Sequence, residues 1–119
     1  MPKVYEPART PEDITRLFVE RANAKDAEGL AALYAPDAVL AYPPGGTTVG
    51  RDAIRRLYEQ ALPHWPRLEL EPALPTIRWG DLALTSTRSK DGKGGRVQVV
   101  QRQSDGTWLR VIDRPEQPD

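Results

Sequence analysis

The chain has 119 residues, with 17 Lys and Arg against 17 Asp and Glu, 12 prolines and no cysteine. That length suits one domain, and the balanced charge supplies no field to gather nucleic acid or an anionic membrane. The lack of cysteine excludes disulfides, thiolate nucleophiles and thiolate metal sites. No apolar run approaches a bilayer span, and the start MPKVYEPARTPED has one lysine and no apolar core. A cytoplasmic protein with no membrane partner is therefore expected.

In chain order, residues 1–9 read as a flexible arm ahead of a single domain over 10–114, with 115–119 as a flexible tail. Thr10 is placed to cap a helix, with Pro11 at its first position and Asp13 three residues after the cap. Ile14, Leu17, Phe18 and Ala22 follow helical spacing. Asp26 caps a second helix read through Tyr34, stopped by Ala35-Pro36-Asp37, and Ala38–Tyr42 follows as a strand. Pro43-Pro44-Gly45-Gly46 turns the chain and Thr47–Val49 returns. That Gly-rich turn is no phosphate loop, because no Gly-Lys-Ser/Thr follows. A third helix over Arg51–Leu62 carries the stripe Ile54, Leu57, Tyr58, Ala61 and Leu62 and ends at Pro63.

Beyond Pro63 the period changes to two. Ala73–Trp79 is extended, Leu82–Arg88 and Arg96–Gln103 are strands, and Trp108–Asp113 is the last strand, after the turn Ser104-Asp105-Gly106. Lys90, Lys93 and Arg96 fall on a solvated hairpin tip. Helices followed by consecutive antiparallel strands indicate the α+β class.

The stretches AKDAEGLAALYAPDAVL, VGRDAI, WGDLAL and SDGTWLRVIDRP, in that order between about Pro11 and Arg114, resemble the nuclear transport factor 2-like superfamily. The likeness is strongest to its SnoaL-like and calcium/calmodulin-kinase association-domain-like branch. The resemblance implies a cone in which three N-terminal helices pack on a strongly bent, mostly antiparallel sheet around one apolar pocket. It says little about activity, since the fold hosts isomerases, cyclases, dehydratases, hydrolases and non-enzymatic binders.

Ketosteroid isomerase chemistry needs a general base and two oxyanion donors. The matching positions here hold Tyr42, Phe18 and Val99, so steroid isomerisation is not expected. Tyr34 and Tyr58 match that family's supporting tyrosines. Scytalone dehydratase-like chemistry would want a His in the pocket, and the only one, His64, follows the third helix. An epoxide hydrolase-like Asp-Arg-Asp set finds two members, Arg88 and Asp113.

Asp113 is the candidate proton-transfer group, since Leu109, Val111 and Asp113 share one face of a regular strand. The alternative is a strand-end carboxylate paired with Arg110 or Arg114. Phe18, Tyr34, Tyr42, Tyr58, Trp65, Trp79, Arg88 and Val111 are the candidate pocket residues, with plain core packing the competing role for the aromatics. Trp108 and Ile112 fall on the opposite face, where a homodimer contact is expected. One histidine without cysteine or clustered carboxylates gives no metal site, and no cofactor is expected. The function expected is binding of a small hydrophobic or amphipathic molecule. The alternative is a SnoaL-like enzyme using Asp113 on a carbonyl-containing substrate.

Overall fold

The computed structural model describes residues 4–92 and 94–115. Lys93 of the hairpin tip, the first three residues of the arm and the tail from 116 lie outside the described residues. Among the described residues the chain forms three α-helices, one 3-10 turn and six strands, with no helix long and apolar enough to cross a membrane.

Helix α1 (Pro11–Asn23) starts where Thr10 Oγ1 accepts from the Asp13 amide at 3.2 Å, with Pro11 filling a position that needs no amide proton. It buries Ile14, Leu17 and Ala22 on one face. Helix α2 (Ala27–Ala31) is capped by Asp26, which accepts from the Gly29 amide at 2.9 Å. Strand β1 (Tyr34–Leu40) and the two-residue β2 (Thr48–Val49) precede α3 (Arg51–Ala61), which runs on into a 3-10 turn over Leu62–His64. Then come β3 (Ile77–Trp79), β4 (Leu82–Arg88), β5 (Gly95–Arg102) and β6 (Trp108–Arg114).

The strands form one open sheet in the order β2-β1-β6-β5-β4-β3. All neighbours are antiparallel except β1 and β6, which run parallel because the whole of α3 and the later strands intervene between them. The helices cover one face, and the core gathers Ile14, Leu30, Leu33, Leu40, Ile54 and Leu62 between the two layers.

Three expectations change. The second helix ends at Ala31, and Tyr34 already pairs with Arg110 across to β6. Pro36 and Asp37 sit on the solvent side of an irregularity in that pairing, so the Ala-Pro-Asp signal marks a bulge inside a strand. The arm is docked over its last residues. Ala8 is buried and bridges to Trp108, and the Tyr5 hydroxyl donates to Asp26 at 3.0 Å. The third concerns β6. Val99 pairs with Ile112 but Val100 pairs with Arg110, leaving Val111 as an extra residue. This bulge reverses the alternation, so Trp108, Arg110 and Asp113 all point into the fold. Trp108 is therefore core, not part of an outer patch with Ile112.

The outer face carries an unbroken apolar row. Val49, Val39, Ile112, Val99, Leu84 and Ile77 are successive cross-strand partners through all six strands. Ile77, Ile112, Val49 and Leu84 are exposed.

Candidate functional site

Between the helices and the inner sheet face lies a cavity of about 600 Å³. Phe18 and Val19 of α1, Leu57 and Tyr58 of α3, and Trp65 after it form an apolar wall. The opposite side is polar, because the inward positions of the central strands are Thr87, Gln98, Arg110 and Asp113. Gln98, Arg110 and Asp113 are all buried.

The deepest part is a four-residue network. Arg110 and Asp113 form a buried ion pair at 3.3 Å, brought together only because the Val111 bulge turns both inward. The Tyr34 hydroxyl donates to Asp113 Oδ2 at 2.6 Å and lies 2.8 Å from the Tyr58 hydroxyl. Tyr34 has a single phenolic proton, already given to the carboxylate, so Tyr58 is the donor between the two tyrosines. Arg110 Nη1 also donates to the Tyr34 oxygen at 3.5 Å. Its guanidinium stacks over the Phe18 ring at 4.7 Å, an interaction strengthened by the dry setting.

Burial pushes the phenols of Tyr34 and Tyr58 well above their usual range, with the Asp113 charge adding to it, so both keep their protons. Burial is the strongest influence on Arg110 and opposes its charge, but Asp113, Tyr34 and Tyr58 together outweigh it and hold the guanidinium above its ordinary value. Among the described residues, Arg110 Nε and Asp113 Oδ1 are buried without a hydrogen-bond partner.

The wall is held by neighbouring structure. Phe18 meets Tyr58 edge-on at 6.0 Å, and Tyr58 meets Trp65 edge-on at 5.7 Å. Asn23 pins the segment after the 3-10 turn by donating to the Leu68 carbonyl at 2.9 Å and accepting from its amide at 2.7 Å. At the mouth, Glu69 pairs with Lys90 and Glu71 with Arg96.

Of the residues singled out from sequence, Phe18, Tyr42, Tyr58, Trp65 and Asp113 line the cavity. Tyr34 is wholly buried one layer behind and acts through its hydroxyl. Trp79 stands 79% exposed on the edge strand β3, because Ile77 and Trp79 share the outer face. Arg88 is exposed and away from the cavity, lining a shallow hollow beside Leu74, so the arginine next to Asp113 is Arg110 instead. Val111 is the bulge residue and does not line the cavity. His64 is exposed, and the nearby carbonyl of Leu62 is bound by Lys25 Nζ at 2.9 Å. Val99 lies in the outer row, while its neighbour Gln98 faces inward and accepts from Thr85 Oγ1 at 2.9 Å. Gln98 is discoverable as a polar residue among the valines of β5, whereas the sequence offers Arg110 only as an alternative partner for Asp113, and that pairing is the one found. Among the described residues no group of three His, Asp or Glu side chains is arranged to hold a metal ion.

A family model of the SnoaL-like domain matches residues 15–113. Solved structures resemble the chain over most of its length. A Mycobacterium tuberculosis protein of unknown function is 20% identical at a TM-score of 0.74, covering 91% of this chain and 73% of that one. A ketosteroid isomerase-like protein from Erwinia carotovora is 16% identical at a TM-score of 0.70, covering 87% and 89%. A nuclear transport factor 2-like protein with a cystatin-like fold from Novosphingobium aromaticivorans is 23% identical at a TM-score of 0.66, covering 87% and 78%. At such identities the likeness concerns the fold. No curated protein matches the chain.

Proposed function

The chain belongs to the SnoaL-like domain family, and from that membership we propose that it is a small-molecule-binding domain whose hydrophobic or amphipathic ligand occupies the cavity. The observation that carries this reading is the cavity itself. At about 600 Å³, with an aromatic wall and a few buried polar groups, it has the size and lining of small-molecule sites. The reading keeps a cytoplasmic setting and, as partners, a small molecule and a second copy of the chain.

A titration with 2-methylnaphthalene followed by amide NMR tests it. Saturable shifts should centre on Phe18, Leu57 and Tyr58. Ala61→Trp, which fills the cavity from α3, should abolish them. Shifts that survive Ala61→Trp would place binding elsewhere.

A second reading, acid/base catalysis by Asp113, is favoured by its burial and by the 2.6 Å bond from Tyr34 that orients it. It requires wild-type protein to speed exchange of the α-protons of 2-tetralone in deuterated water, and Asp113→Asn to lose that effect. Equal exchange with and without the wild-type protein would leave the binding reading alone.

A further inference from the structure

Resting on the reading of the cavity as a ligand site, we infer that its ligand carries an uncharged hydroxyl that meets Arg110 and Asp113. Tyr58 gives its proton to Tyr34, and Tyr34 gives its own to Asp113 Oδ2. These two tyrosines therefore have no proton left for a ligand carbonyl, and what Tyr58 offers the cavity is a lone pair. Asp113 Oδ1 is an acceptor and Arg110 Nε a donor, both buried and without a partner among the described residues. They belong to the two members of one ion pair, and both residues line the cavity.

A group that serves both must donate to a carboxylate oxygen and accept from a guanidinium. A hydroxyl has both functions in one group. A ketone only accepts, and would leave Asp113 Oδ1 unmet. A ligand carboxylate would be drawn to Arg110 but face Asp113, and a ligand ammonium would be drawn to Asp113 but face Arg110. In a buried site such like-charge encounters are costly. Of the remaining charged residues along the cavity, Glu69 pairs with Lys90 and Glu71 with Arg96 at the mouth, and Arg67 is exposed to solvent. The wall opposite is Phe18, Leu57, Tyr58 and Trp65, so the body of the ligand is apolar.

A matched probe series tests this on the wild-type protein at pH 7: 2-naphthalenemethanol, 2-methylnaphthalene, 2-acetonaphthone, 2-naphthoate and 2-naphthalenemethylammonium. Affinities come from amide NMR titration, which also reports whether the cavity residues respond. The alcohol should bind about tenfold tighter than the methyl compound, the gain expected of a hydrogen bond to a charged partner, and tighter than the other three. Asp113→Asn should reverse the order of alcohol and naphthoate, because Arg110 then stands unopposed. If that variant does not fold, the wild-type ranking decides. Naphthoate, the ammonium or the ketone ranking first would overturn the inference, as would five equal affinities, and each leaves the cavity reading standing. No cavity response to any probe would overturn both.

Discussion

At the scale of single residues, the Tyr34 hydroxyl is the hinge of the network, since one oxygen serves Asp113, Tyr58 and Arg110. Tyr34→Phe removes a hydrogen bond to a charged group and should lower unfolding free energy by about 2 kcal/mol in urea titrations. A loss below about 0.5 kcal/mol would show the network adds little beyond packing. The ion pair beneath it behaves differently from its parts. Arg110→Met or Asp113→Leu alone strands a buried charge and should cost about 3–5 kcal/mol, while the double variant should cost far less than the sum. Additive losses in a double-mutant cycle would deny the coupling. The tyrosines also set an alkaline limit. Their folded values lie above the ordinary 10.0, so the folded state binds these protons more tightly than the unfolded chain. Their stabilising contribution is complete below pH about 10 and is lost as pH rises past it toward the folded values. Tyr5, pushed up to about 12 by burial and by Asp26, adds to the same slope. Melting temperature should therefore fall steeply above pH 10, and less steeply in Tyr58→Phe. Parallel profiles for the two proteins would refute the assignment. Phe18, Tyr58 and Asp113 were legible from helical stripes and a strand end. Arg110 was legible as a neighbour of Asp113 but not as an inward residue, because the Val111 bulge that turns it inward has no glycine or proline to announce it.

At the scale of elements, the helix caps and the strands after Pro63 could be read directly, since Thr10, Asp26 and the period-two spacing act locally. The boundary between α2 and β1 could not. Tyr34 enters the sheet because β6 offers it a partner and Arg51 grips its carbonyl at 2.7 and 2.8 Å, and both contacts come from distant sequence. The segment after the 3-10 turn has no regular structure around Leu68, yet it closes one side of the cavity and is tied down by Asn23. Asn23→Ala breaks both bonds and should cost about 1–2 kcal/mol. It should also raise hydrogen exchange at the Leu68 amide well above that of α1. Unchanged exchange there would mean the Glu69 and Glu71 pairs hold the segment without Asn23.

At the scale of the whole molecule, part of the central sheet reverses the usual polarity, although Ala83, Val100 and Trp108 still face the core. Thr85, Thr87, Gln98, Arg110 and Asp113 face inward, while Leu84, Val97, Val99 and Ile112 stand on the outer side. A few inward polar groups are what orient a ligand in a cavity with an apolar wall, and the apolar exterior is what a covered face requires. Six strands at about 4.8 Å spacing make the outer row about 24 Å wide. One partner's share of a standard interface, about 800 Å², is about 28 Å on a side, so the width suits a stable contact. The occupant we propose is a second copy, since a two-fold axis sets the same row against itself. Sedimentation should give a dimer mass at micromolar concentration, and Ile112→Glu should give a monomer. A wild-type monomer across a dilution series would remove the proposal. Whether the ligand sits in the cavity between helices and sheet or on this outer face is decided by intermolecular NOEs to bound 2-naphthalenemethanol. Contacts to the side chains of Phe18, Leu57 and Tyr58 are expected. Contacts to Ile77, Trp79 and Ile112 instead would contradict binding in the cavity.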